Sequence, residues 1–118
     1  MSEEQKATYK KIPSALKIPI ILRVKEIKSL KEENEYKGFT ADEIMEAAKK
    51  LDENLTKKQF NKFMRESLAS GSISPSGIID VKDKKRTYNV SSESVENIDD
   101  ILHCYGWVET TVRLNIDL

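Results

Sequence analysis

Cysteine and histidine occur once each in this 118-residue chain, as Cys104 and His103, and proline and glycine contribute only three and four residues. A single cysteine forms no internal disulfide and is compatible with a reducing compartment. The His103–Cys104 pair is poor material for a metal site. Neighbouring residues on a helix point about 100° apart and cannot share one ion well, and there is no second His/Cys cluster. His103 is therefore expected in a surface or structural role, and Cys104 as a small residue near the core. Long apolar runs are also missing. The longest, Ile18-Pro19-Ile20-Ile21-Leu22, is far short of the ~20 residues a bilayer requires. The opening MSEEQKATYKK has no apolar centre and no small-residue cleavage site, which makes a secretory leader unexpected and a cytoplasmic location the expectation. Ser74–Gly77 has too little glycine for a phosphate cradle and no lysine-serine signature after it. Asp52-Glu53 and Asp99-Asp100 sit at positions expected to be exposed and polar, with no argument for acid–base work. The aromatics Tyr36, Tyr88 and Trp107 are expected in the core or at its rim. These absences point away from an enzyme, a metal, a cofactor or a small-molecule ligand.

What is present is a soluble, charge-rich composition, 38% apolar and 34% charged, at a length that suits one domain with a modest core. The formal net charge is zero, but charge is distributed in blocks. Residues 1–31 hold eight basic and three acidic side chains, and residues 57–90 hold the same. Residues 32–56 hold three basic and eight acidic, and residues 91–118 hold one and six. Neutrality thus comes from cancellation between segments, and surface fields follow the distribution as well as the sum.

In chain order, residues 1–13 are lysine-rich without apolar period and read as a flexible basic arm, able at most to touch phosphate. A first helix begins near Ser14 or at Pro19, with Ile20, Ile21, Val24, Ile27 and Leu30 at helical spacing. A helix this apolar belongs in the core, and its surplus face is a candidate dimer contact. Tyr36–Phe39 is extended. Thr40-Ala41-Asp42-Glu43 is a capping box opening a helix that buries Ile44, Ala47, Ala48 and Leu51, with acids that suit the helix dipole. Thr56-Lys57-Lys58-Gln59 is a second one, followed by the stripe Phe60, Phe63, Met64, Leu68. Lys57, Lys58, Asn61, Lys62 and Arg65 fall away from that stripe, Glu66 would repel phosphate if it joined them, and Gly71 stops the helix. After the turn-rich link Ser74–Gly77, the runs Ile78–Val81 and Arg86–Val90 read as a hairpin with Lys82–Lys85 at its tip. Ser91 or Ser92 opens a last helix with Val95, Ile98, Ile101, Leu102 and Tyr105 as its stripe and Gly106 as its stop. Residues 107–118 alternate apolar and polar as a half-buried strand does, to extend the sheet or pair across a dimer.

A helix, a short strand, two capped helices, a hairpin and a helix in that order resemble the winged helix-turn-helix DNA-binding domain of small prokaryotic transcription regulators. The likeness is carried by Thr40 and Thr56, by the Leu68-x-x-Gly71-x-Ile73 exit and by the hairpin. It implies a mainly α fold with a small β-sheet: a three-helix core, a two-stranded wing and a C-terminal helix within residues 14–106, followed by the extra strand at 107–118. It further implies that the helix over residues 56–70 enters the major groove and the hairpin over 78–90 acts as the wing. Lys57, Lys58, Asn61, Lys62 and Arg65 would then face DNA, and Lys84, Lys85 and Arg86 would meet phosphate or the minor groove. Two features depart from the pattern: the SPSG insertion before the first wing strand and the C-terminal strand. Asn61 and Arg65 are types that make paired contacts to adenine and guanine edges, whereas the lysines supply salt-dependent affinity without sequence preference. The expected protein is a homodimeric transcription regulator on double-stranded DNA. A protein–protein interaction module or assembly subunit of the same fold is the alternative, and an accessory role in plasmid or viral DNA partition or replication a further one.

Overall fold

The computed structural model describes residues 3–31, 38–80 and 85–104. In chain order the elements are α1 (Glu3–Lys11), α2 (Ser14–Lys31), β1 (Phe39–Thr40), α3 (Ala41–Leu51), α4 (Lys57–Ala69), β2 (Ile73–Asp80), β3 (Lys85–Val90) and α5 (Val95–Cys104). The fold is mainly helical with a small three-stranded antiparallel sheet. No described helix is long and apolar enough to cross a membrane.

α2 is the axis of the core. Ile18, Ile20, Ile21, Leu22 and Val24 point in every direction around it, and all five are fully buried. A helix that is apolar all round must be packed all round. These five side chains are thus covered from within the chain. Pro19 lies inside α2 and does not begin it. An interior proline deprives the carbonyl four residues earlier, that of Ala15, of its helical donor. Ser67 of α4, itself fully buried, donates to that carbonyl at 3.3 Å while also reaching the Phe63 carbonyl at 2.8 Å. One hydroxyl proton is shared between the two acceptors. The neighbouring helix thus replaces the donor that proline removed.

The N-terminal segment is a helix and not the arm expected from its composition. Tyr9 of α1 and Ile12 just past its end are 0% and 3% exposed, and this small anchor suffices because polar groups complete the docking. Lys17 donates its ammonium to the Tyr9 carbonyl at 3.0 Å and the Lys10 carbonyl at 3.3 Å, closing the C-terminal end of α1. The same ammonium stands 4.6 Å from the Tyr9 ring centre and 5.4 Å from that of Phe63 on α4. Burial lowers the Lys17 pKa against the opposing pull of Asp52. Burial also raises the Tyr9 hydroxyl well above the ordinary phenol range, with Asp52 adding to the effect. At the other end of α1, Lys6 pairs with Glu53 at 3.0 Å.

Both capping boxes form. The Thr40 hydroxyl accepts from the Glu43 N–H and Glu43 Oε1 accepts from the Thr40 N–H; Thr56 and Gln59 repeat the arrangement. α3 buries Ile44, Ala47, Ala48 and Leu51 as its spacing predicts. At the end of α4, Gly71 takes φ +76°. There the Ser72 N–H reaches the Ser67 carbonyl and the Gly71 N–H reaches that of Leu68, both at 3.2 Å. That double bond pattern around a left-handed glycine turns the chain straight back onto the core.

β3 is the central strand of the sheet, with order β1–β3–β2. Phe39 lies opposite Tyr88, and Ile73 opposite Val90. The hairpin begins at Ile73 and not at Ile78, because the buried Ile73 and Val90 pair at its base. Ser74–Gly77, expected as a link, belongs to β2. Pro75 is tolerated since β2 is an edge strand, and the register shifts between Pro75 and Ile79, where β2 has more residues than the facing stretch of β3. The Ser76 and Thr87 hydroxyls bond across this stretch. Gly38 takes φ +84°, where a Cβ would stand 2.8 Å from Asn89 Oδ1.

α5 starts at Val95, later than the serines expected to open it, with the Ser94 carbonyl accepting the Ile98 N–H at 2.9 Å. It buries Ile98 and Leu102, and Asp99 takes a two-pronged contact from Arg23 of α2 at 2.6 and 3.0 Å. Asp99, whose side chain stays 41% exposed as its polar position leads one to expect, is thus also a tie between helices. Cys104 is exposed and not near the core, as is His103. Tyr36, residues 81–84 of the hairpin tip including Lys84, Tyr105, Gly106, Trp107 and the alternating 107–118 segment lie outside the described residues.

Candidate nucleic-acid interface

Which side of α4 meets solvent follows from its apolar residues. With Phe60 at the centre of the buried side and about 100° per residue, Met64 and Ser67 fall within about 40° of it and Leu68 about 80° away. Phe60, Met64 and Ser67 are buried at 3%, 7% and 0%, whereas Leu68 is 38% exposed. The expected stripe of Phe60, Phe63, Met64 and Leu68 is corrected at its last member. Ser67 takes the interior place, small enough to let α4 lie close to α2 at Ala15. Leu68 is the large apolar side chain left exposed among the described residues.

Lys57, Lys58, Asn61, Lys62 and Arg65 are all exposed. Lys58, Lys62, Arg65 and Asn61 lie about 160°, 160°, 140° and 100° from Phe60, and Lys57, in the first turn, lies at the edge of this arc about 60° away. Glu66 turns away from Arg65 toward the start of α2, where the Ser14 hydroxyl donates to it. There it meets the positive end of the α2 dipole. Its other oxygen stands 4.0 Å from the Lys62 ammonium, a loose pairing that leaves Lys62 61% exposed.

The hairpin residues are placed differently from one another. Arg86 is exposed and lies opposite Ile79. Lys85 lies opposite Asp80 in the ladder, and its ammonium forms an ion pair with Asp42 in the first turn of α3. The hydrogen bond and charge of Lys85 hold the Asp42 carboxyl below its ordinary range, and the charge of Lys57 adds to the effect. Asp42 therefore ties the first turn of α3 to the hairpin through Lys85. Ala41, Asp42, Lys85, Arg86 and Tyr88 line an open hollow of about 250 Å³ there.

The sequence assigned Asp42 only to the helix dipole, and nothing in its spacing marks it as a partner of a lysine 43 residues on. Ser67 and Lys17 were equally silent, since a lone serine or lysine on an amphipathic helix normally faces solvent. Among the described residues, no group of three or more His, Cys, Asp or Glu side chains is placed to hold a metal ion. Compared with protein-family models, curated proteins and solved structures, the chain matches none.

Proposed function

We propose that the protein binds double-stranded DNA as a winged helix-turn-helix transcription regulator, with α4 in the major groove and the β2–β3 hairpin beside it. The observation that carries this reading is the exposed arc of Lys57, Lys58, Asn61, Lys62 and Arg65 on a helix whose opposite side is buried. A 13-residue helix is about 20 Å long, enough to lie across the groove. Asn61 and Arg65 at the centre of the arc suit base edges, each paired contact contributing ~1–3 kcal/mol of discrimination. The surrounding lysines suit phosphates. Further support comes from β1 lying between α2 and α3 in sequence and joining the hairpin through β3, and from the charges of Lys57 and Lys85 both acting on Asp42. Two copies acting together would place their α4 helices about one DNA turn apart.

Titration of a labelled random duplex over a series of salt concentrations tests the reading. The parent chain binds with a steep salt dependence, and Lys62→Glu combined with Arg65→Glu lowers affinity roughly a hundredfold or more, from two reversed charges and the missing arginine–base hydrogen bonds. Absence of low-salt binding by the parent, or indifference to the double substitution, would sink it. One observation favours a protein-interaction module instead: Leu68, exposed at the end of the same arc. A chain that ignores duplex DNA but loses a protein partner on Leu68→Ser would establish that alternative.

A further inference from the structure

α1 ends in Lys10 and Lys11, both exposed. Two chains of contacts, both running through α2, bring this end of α1 near α4, while α1 itself packs on α3. The first runs through Lys17, whose ammonium holds the Tyr9 and Lys10 carbonyls and stands 5.4 Å from the Phe63 ring. The second runs through Ser14, three residues beyond Lys11. Ser14 donates to one oxygen of Glu66, and the other oxygen of Glu66 is 4.0 Å from the Lys62 ammonium. Three residues span at most about 10 Å, so the Lys11 backbone lies within that reach of Ser14, which is itself bonded to Glu66 on the flank of α4. The carbonyls at the end of α1 are already served by Lys17, and Lys10 and Lys11 are exposed, with Lys10 near enough to Glu53 to help hold its carboxyl below the ordinary range. Lys6, at the other end, is engaged by Glu53.

We propose that Lys10 and Lys11 are a second phosphate-binding element, which acts with Lys62 to grip the DNA backbone flanking the groove that α4 enters. The proposal rests on the DNA-binding reading of α4. Lysines suit the task, being flexible point charges that bind phosphate without reading sequence. Their position is preorganised, since Tyr9 and Ile12 anchor α1 to the core and little order must be gained on binding. The segment that composition marked as a loose arm thus becomes a fixed side rail. Its contribution is a uniform one, the same on every duplex sequence.

The test compares the full chain with Lys10→Gln combined with Lys11→Gln, using labelled random duplex and one fixed sequence over a series of salt concentrations. Removing one lysine–phosphate pairing makes the slope of log affinity against log salt shallower by about 0.9. The double variant should therefore show a slope shallower by about 1 to 2 and a low-salt affinity roughly three- to tenfold weaker on both duplexes, with an unchanged thermal melt. An unchanged slope and affinity, in a chain whose binding is abolished by Lys62→Glu plus Arg65→Glu, overturns the rail and leaves the α4 reading standing. A parent chain that does not bind duplex overturns both.

Discussion

α3 and α4 are opened by the same device, a threonine whose hydroxyl takes the N–H three residues on while that residue's side chain returns to the threonine N–H. Beyond the cap they diverge. α3 follows the helix dipole at both ends, with Asp42 and Glu43 in its first turn and Lys49 and Lys50 in its last. α4 opposes it, with Lys57 and Lys58 in the first turn, no acidic residue there and no basic residue in the last. Positive charge at the positive end of a helix costs stability. Helix stability alone therefore accounts for the surface of α3 and fails to account for that of α4. A local rule broken without a structural gain is the mark of a surface shaped by something else, and on α4 the five residues of the proposed interface include the two that break it.

Three perturbations can break or sharpen this contrast. The largest acts on the buried side of α4. Ser67→Leu should destabilise the fold by about 1–3 kcal/mol in urea unfolding, since it overfills the contact with α2 and removes the donor to the Ala15 carbonyl. Its neighbour Leu68→Ser should stay within about 0.5 kcal/mol of the parent. Equal effects at the two positions would mean that the buried and exposed sides of α4 have been misassigned.

Next comes the charge at the helix starts. Lys57→Glu with Lys58→Glu should raise the melting temperature by roughly 1–4 °C in low salt by suiting the dipole, while weakening duplex binding. Asp42→Lys on α3 should lower it. A double α4 variant that melts earlier than the parent contradicts the idea that those lysines are held against the dipole.

The smallest effect is one of pH. Lys85 depresses the Asp42 pKa below its ordinary 3.8, and Lys6 depresses that of Glu53 below 4.5. A carboxylate with a lowered native pKa contributes stability that is fully present above its unfolded value and is lost as pH falls through the native one. Both groups face solvent, so the loss is slight. Thermal melts at about pH 5 and about pH 3 should show Asp42→Asn losing less on acidification than the parent. An equal loss would remove Asp42 as the link between α3 and the hairpin.

Much of the fold was legible because it is written in local chemistry. Thr40 with Glu43 and Thr56 with Gln59 identify two helix starts, Gly71 identifies a stop, and Phe60 with Met64 orients α4. The basic side chains of α4 could be picked out because whatever opposes a buried stripe must face water. The failures share one cause. Residues 3–12 looked like an arm because Tyr9 and Ile12 are too few to show a period. Ser74–Gly77 looked like a link because serine, proline and glycine are turn residues wherever no partner strand fixes them. Leu68 looked buried and Ser67 exposed because hydrophobicity ranks them that way, whereas a close approach of two helices reverses the order.

The sequence alone determined where α3 and α4 begin, where α4 stops, and that one arc of α4 carries the amide and the positive charge. Those are decisions made within a turn or two of helix, by hydrogen bonds that a residue forms with neighbours three or four places away. The tertiary structure alone decided that α1 docks, that the hairpin starts at Ile73, and that Pro19 is tolerated inside α2. It also paired Lys85 with Asp42 and Arg23 with Asp99. Each of these depends on groups distant in sequence meeting in space, where burial turns a lone serine or lysine into a partner that its own neighbourhood gives no reason to expect.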